Sequence, residues 1–316
     1  MFRISDHLCQ ARWGLIKRFA SRENGMGYNT RQRRTEFRPK LKWRNPLEYR
    51  KLGKLDVSAV GLGTLRTFDV ESDDDIAIRK EIVDNCLAEK INLIDSANFY
   101  GLAEKVVGLV TEGRRDQFYL ATKVRTEGKE EGLAQIDNSF KMLKTDYIDL
   151  FQVHNMVDWE THIPTLQDLK SEGKIGMVGV SAMVHEAYPT IANLMREGRI
   201  DTIQIPYNVV ERGCEDELLP LAEELGVGVL VMEPLKKGRY VKELKQQPDL
   251  TPLAELGITT WAQALIAWVL GDSRVSAAIP TTSRPERIHE NAVAGNVDHM
   301  PQELRDYVRE ETERCL

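Results

Sequence analysis

A chain of 316 residues and 36.0 kDa has room for one large α/β domain or two smaller ones. Its 42% hydrophobic and 29% charged residues suit a globular protein with a full core, no apolar run is long enough to cross a bilayer, and a net charge of −6 argues against a nucleic-acid-binding body. Four scattered cysteines, Cys9, Cys86, Cys214 and Cys315, form no CxxC and no metal spacing, which fits a reducing, cytoplasmic setting with no metal.

In chain order, residues 1–47 come first and differ from the rest. They carry 12 Lys+Arg against 3 Asp+Glu, a net +9, while the remainder carries 31 against 46, a net −15. RQRRTEFRPKLKWR has little periodicity and few aliphatics, so a flexible basic extension is expected, or a start placed upstream of a true initiator at Met26. A targeting or partner-binding arm is the other reading, weakened by Asp6 and Glu23; a secretory signal would need an uninterrupted apolar stretch that is missing.

From residue 48 short apolar runs alternate with helical periodicity. The runs are AVGLGT (59–64), INLIDS (91–96), FYLATKV (118–124), IDLFQVHN (148–155), IGMVGVSA (175–182), TIQIPYN (202–208), VGVLVME (227–233) and VSAAIPT (275–281). Between them lie AIRKEIVDNCLAEK, GLAQIDNSFKMLK, IPTLQDLKSEGK, AYPTIANLMREG, DELLPLAEELG and WAQALIAWVLG, several ending in the glycine of a helix C-cap. Eight strand–helix units imply parallel strands with right-handed crossovers. A doubly wound sheet competes with a closed barrel, but GLGT lacks the GxGxxG spacing of a dinucleotide-binding turn. The expectation for 48–316 is one (β/α)8 TIM barrel with a C-terminal helix, its chemistry at the C-terminal ends of the strands.

Three adjacent strand ends there are polar. The second run ends at Asp95 with Tyr100 in its loop, the third at Lys123, the fourth at His154. Each alone has an ordinary reading: a solvated lysine, a structural histidine, a loop ring. Together they form a coherent set. An ammonium favours ionisation of a phenol whose pKa is otherwise near 10, a carboxylate holds the ammonium, and an imidazole can serve an oxygen that is becoming negative. The set suits proton delivery to a carbonyl oxygen while the carbon accepts a hydride, which only a cofactor supplies.

These residues are the ones through which the chain resembles the aldo-keto reductases, NADPH-dependent (β/α)8-barrel enzymes, over roughly residues 49–296. Asp95 and Tyr100 match the D-x-A-x-x-Y of DSANFY, Lys123 matches ATKV, and His154 matches FQVHN. The resemblance implies reversible NADP(H)-dependent reduction of an aldehyde or ketone, with Tyr100 as proton donor. For the nicotinamide it implies Ser181, Gln204 and a stacking ring at Tyr207, with Gly63 and Thr64 nearby; Ala182 stands where the family has an Asn. For the pyrophosphate it implies Glu233, Pro234, Leu235, Lys236 and Gly238 in MEPLKKG, with Lys237 equally readable as solvated. For the adenosine end it implies Ser283, Arg284, Arg287, Glu290 and Asn291. The pocket walls implied are Leu65, Arg66, Phe68, Met156, Val157 and Trp159, for which packing against helices is the competing reading. Partners expected are a small carbonyl substrate, no nucleic acid and no membrane, with oligomerisation open. Two alternatives stand beside the enzyme: an NADPH-binding regulatory subunit with little turnover, and a barrel lyase forming a Schiff base at Lys123.

Overall fold

The structure, a computed structural model that describes residues 47–296 and 300–316, opens with a hairpin that the run pattern did not announce. Strands β1 (Tyr49–Leu52) and β2 (Leu55–Ser58) pair antiparallel, Leu52 opposite Leu55, across the Gly53–Lys54 turn. Gly53 is left-handed at φ 54°, and a Cβ there would meet the Met177 sulfur at 2.8 Å, so both torsion and space call for glycine. The basic extension lies outside the described residues except for Leu47, which packs into the core beside Val60 and so belongs to the barrel.

The barrel strands are β3 (Leu62–Gly63), β4 (Leu93–Asp95), β5 (Tyr119–Val124), β6 (Ile148–Val153), β7 (Ile175–Ser181), β8 (Thr202–Pro206), β9 (Gly228–Met232) and β10 (Ala277–Ala278). They pair in parallel in sequence order. Parallel bridges Val60–Ala278 and Gly63–Thr281 close the circle, with Gly61 N donating to Ala278 O at 2.8 Å. The expected eight-stranded barrel is what the chain forms.

Helices α1 (Asp73–Ala88), α2 (Ala103–Val110), α3 (Lys129–Leu143), α4 (Trp159–Ser171), α5 (Tyr188–Arg196), α6 (Leu218–Leu225), a short α7 (Arg239–Lys242), α8 (Trp261–Leu270), α9 (Glu286–Ala294) and α10 (Gln302–Cys315) follow. Their ends obey local chemistry. Ser72 accepts from Asp75 N at the start of α1, whose first turn holds three aspartates facing the positive end of the helix dipole. Thr260 and Gln263 form a capping box on α8. Gly173, Gly198 and Gly226, the glycines of EGK, EGR and LGV, all take the left-handed conformation expected of them.

Two cores result. The larger lies between sheet and helices; the smaller fills the barrel shaft. One shaft layer is Leu93, Ala121, Leu150, Met177, Leu230 and Ala277, beneath which Leu52 and Val57 of the hairpin form an apolar floor. Side chains alternate along a strand, so two residues further on each strand also face the shaft. From that layer the next positions are Asp95, Lys123, Gln152, Met232 and Ile279. The candidate polar residues are therefore the upper layer of the same shaft.

Candidate active site

Lys123 is fully buried on β5. Its Nζ donates to Asp95 Oδ1 at 2.7 Å, to Oδ2 at 2.8 Å and to the Ser96 carbonyl at 2.8 Å, which uses all three ammonium hydrogens. Burial alone would discharge this lysine, but Asp95 and Tyr100 beside it hold its pKa above the ordinary lysine value. Burial pushes the Asp95 carboxyl upward and Lys123 and Gln204 draw it back. The bidentate geometry is that of an ion pair, a costly one to desolvate and a costlier one to break.

Tyr100 lies over this pair, with Nζ 5.5 Å from its ring centre. Burial raises the phenol's pKa; the positive charge of Lys123 opposes the rise without cancelling it. The phenol is therefore protonated throughout the neutral range. His154 meets the Tyr100 ring edge-on, centroids 5.8 Å apart. Burial, then the charges of Lys123 and Arg125, hold its imidazole at about 3, so it is neutral, and its buried Nδ1 has no partner within the described residues. The four residues expected together from sequence are together in space.

Around the rim, Ser181 and Gln204 are register partners on β7 and β8. Asn155 N donates to Ser181 Oγ at 3.0 Å, and Gln152 Nε2 donates to Gln204 Oε1 at 2.8 Å. Gln152 Oε1 and Asn155 Oδ1 are buried acceptors without partners among the described residues. Thr64 is buried, its hydroxyl bonded to Asp95 O and Ser96 Oγ, both at 3.0 Å. Gly63 packs against Thr281 and Ile279, where a Cβ would collide at 2.7 and 2.8 Å. In MEPLKKG, Pro234 is buried, Leu235 packs on the core and Gly238 is left-handed; Lys236 pairs with Glu211 and Glu233, and Lys237 with Glu233 at 2.8 Å. Ser283 and Arg284 are exposed at the entry to α9, and Asn291 is buried. Arg287 pairs with Glu290, whose other oxygen accepts from Thr260 at 2.6 Å.

Three expectations are corrected. Tyr207 does not offer a face for stacking: it is 0% exposed, its ring lies on Trp268 with centroids 5.1 Å apart, and its hydroxyl donates to Glu215 at 2.7 Å and accepts from Arg305 at 2.8 Å. It stands three residues past Gln204, an odd number, and so points out of the shaft. Phe68 is 0% exposed within the larger core and lines no pocket. Trp159, at the start of α4, lies beneath the guanidinium of Arg199, 5.6 Å away, and packs on the outer layer. Leu65 and Arg66 are exposed on the rim, Val157 is half-buried, and Met156 packs partly against the core.

The sequence reading missed Gln152, Phe99 and Arg125. Gln152 had a signal, an amide two residues before His154 in an apolar strand. Phe99, 63% exposed, stands 6.4 Å from His154 with the Arg125 guanidinium 4.1 Å over its ring. Each adjoins a motif already singled out, Phe99 in NFYG and Arg125 just after ATKV.

An eight-stranded parallel barrel with a buried acid–lysine pair, a phenol and an imidazole at its mouth defines a class of carbonyl-reducing oxidoreductase. The model of the Aldo/keto reductase family matches residues 59–310. The chain belongs to that family, in which NADP(H) is the usual cofactor. Among curated proteins it is 30% identical over 221 residues to methylglyoxal reductase YeaE of Escherichia coli, covering 68% of this chain and 78% of that one. It is 26% identical to the NADH-specific methylglyoxal reductase of the same organism, covering 78% and 93%. Among solved structures, the aldo-keto reductase from Klebsiella pneumoniae in complex with NADPH superimposes with a TM-score of 0.71 at 27% identity, covering 84% of this chain and 95% of that one. No helix among the described residues is long and apolar enough to cross a membrane.

Proposed function

We propose that the chain reduces an aldehyde or ketone to an alcohol, reversibly, with NADPH as the reductant and Tyr100 as the proton donor. The observation that carries this reading is the triply bonded Lys123 beneath a protonated Tyr100, with a neutral His154 alongside.

The donor set suits the cofactor. Ser181 and Gln204, with the partnerless acceptors of Gln152 and Asn155 close by, match the two donors and one acceptor of a carboxamide. Lys236, Arg284 and Arg287 would hold the phosphates, with Ser283 as a hydroxyl donor, Glu290 and Asn291 toward the adenine, and Gly63, Thr64, Glu233, Pro234, Leu235 and Gly238 shaping the backbone around it. Ala182 lacks the family's carboxamide; one such bond is worth about 1 kcal/mol net, so binding weakens without being lost. When bound, NADPH supplies hydride to the carbonyl carbon.

The protein's own groups handle the other half of the reaction. Tyr100 gives its proton to the carbonyl oxygen and takes one back from solvent. Charged Lys123 stabilises the phenolate formed in between, and Asp95 keeps Lys123 charged and in place. Neutral His154 supplies a hydrogen bond where the oxygen gathers charge. Leu65 and Met156 remain as proposed pocket walls. With its three hydrogens bonded, Lys123 is poorly suited to Schiff-base chemistry.

The test is a panel of aldehydes and ketones with NADPH and with NADH, read as steady oxidation. Turnover with NADPH that depends on Tyr100 supports the reading. Tight NADPH binding with negligible turnover across the panel would replace it with the regulatory subunit.

A further inference from the structure

Arg125 carries a charge that no acid in the described structure answers. It lies two residues past Lys123, half-buried on the loop leaving β5, and no carboxylate among the described residues pairs with it. Its place is nonetheless fixed. Its backbone N donates to Gln135 Oε1 and its carbonyl accepts from Gln135 Nε2, both at 3.0 Å. The same Oε1 accepts from Asn98 Nδ2 at 2.7 Å, so one glutamine on α3 ties the loop bearing Phe99 to the loop bearing Arg125.

The guanidinium then rests on Phe99, 4.1 Å from the ring centre, and Phe99 stands edge-on to His154. Its field reaches the site: it lowers the pKa of His154 and draws on that of Tyr100. The other cation of this corner, Lys123, is neutralised by Asp95. What stands at the mouth is a positioned, partly desolvated fork of donors with no anion, a geometry matched to a planar carboxylate. An exposed phenylalanine beneath it offers an apolar wall between that fork and the phenol–imidazole pair.

We infer that the substrate is a carbonyl compound that also bears a carboxylate, held by Arg125 against Phe99 while its carbonyl oxygen faces Tyr100 and His154. The inference rests on the proposed carbonyl reduction and adds the substrate's charge. A neutral aromatic aldehyde lying on Phe99 is the competing occupant.

Matched pairs test it: 4-oxobutanoate against butanal, and 2-oxobutanoate against butanone, each with NADPH. The wild type should prefer the acid in at least one pair. Arg125→Gln should raise KM for that acid on the order of 10–100-fold more than it raises KM for the neutral partner. Arg125→Lys should recover part of the loss, as a charge without the fork. Equal loss for acid and neutral members would make Arg125 a structural residue and overturn the inference, as would a wild type that prefers the neutral member of both pairs. A second measurement separates this from failure of the reduction itself. Titrating 4-hydroxybutanoate into the NADPH complex and following protein fluorescence should give saturable binding to the wild type and none to Arg125→Gln. That outcome upholds the anion site even without turnover; no binding to the wild type removes it.

Discussion

Along β3–β5 the polar groups of the rim are answered from within the barrel: Lys123 by Asp95 and Ser96, Thr64 by Asp95 and Ser96. Past β9 and β10 the cations are answered too, but by partly buried acids on loops and helices, Lys236 and Lys237 by Glu233, Lys236 by Glu211, Arg287 by Glu290. The first arc sits on strands and needs no rearrangement to act. The second sits on loops with left-handed residues at Glu233, Lys236, Lys237 and Gly238, and in the proposed reading it would exchange protein carboxylates for phosphates on binding. Preorganisation is spent where charge develops in the reaction, and adjustable pairing is left where a ligand arrives.

The largest effect that would sharpen this contrast is on the first arc. Tyr100→Phe should lower the rate of carbonyl reduction about 10²–10⁴-fold with NADPH affinity unchanged by titration. A near wild-type rate would take the proton donor away from Tyr100. Next in size is stability: Lys123→Met strands Asp95 and should cost about 3–5 kcal/mol in denaturant unfolding. Adding Asp95→Leu should return much of that stability while activity stays lost; if it returns none, the pair is not what holds the corner.

On the second arc the expected effects are smaller and differ by cofactor. Arg284→Ala with Arg287→Ala should weaken NADPH about 10–100-fold while NADH changes little. Equal weakening would move the 2′-phosphate elsewhere. Raising salt should weaken NADPH binding and leave the Tyr100-dependent step alone. The pH profile is the gentlest probe. A proton donor with a raised pKa is intact below that value and lost as pH climbs through it, so reduction should stay level through neutrality and fall only at alkaline pH beyond the ordinary phenol range. His154, held near 3, adds no inflection between pH 5 and 9. An inflection near 6.5 that disappears in His154→Gln would contradict the neutral, buried imidazole.

Much of the barrel was legible because buried parallel strands read as continuous apolar runs, and glycines marked the helix ends. The polar corner was legible for a related reason, since Asp95, Lys123 and His154 interrupt such runs at the same end. The hairpin was not, because two four-residue strands rich in charge carry too little pattern. Tyr207 misled because a motif gives neighbours in sequence, whereas strand alternation decides which of them face the shaft. Phe68 and Trp159 misled because an aromatic near a strand end fits pocket or core equally until the packing is known. Arg125 had only its place beside ATKV as a signal; its meaning lies in the absence of a paired acid among the described residues.

The hairpin floor has a consequence for traffic. With Leu52 and Val57 packed against the lower shaft layer, the polar layer is approached from the C-terminal ends of the strands. Substrate and cofactor of the proposed reaction would therefore share one end of the shaft, and each would be bounded by the other there.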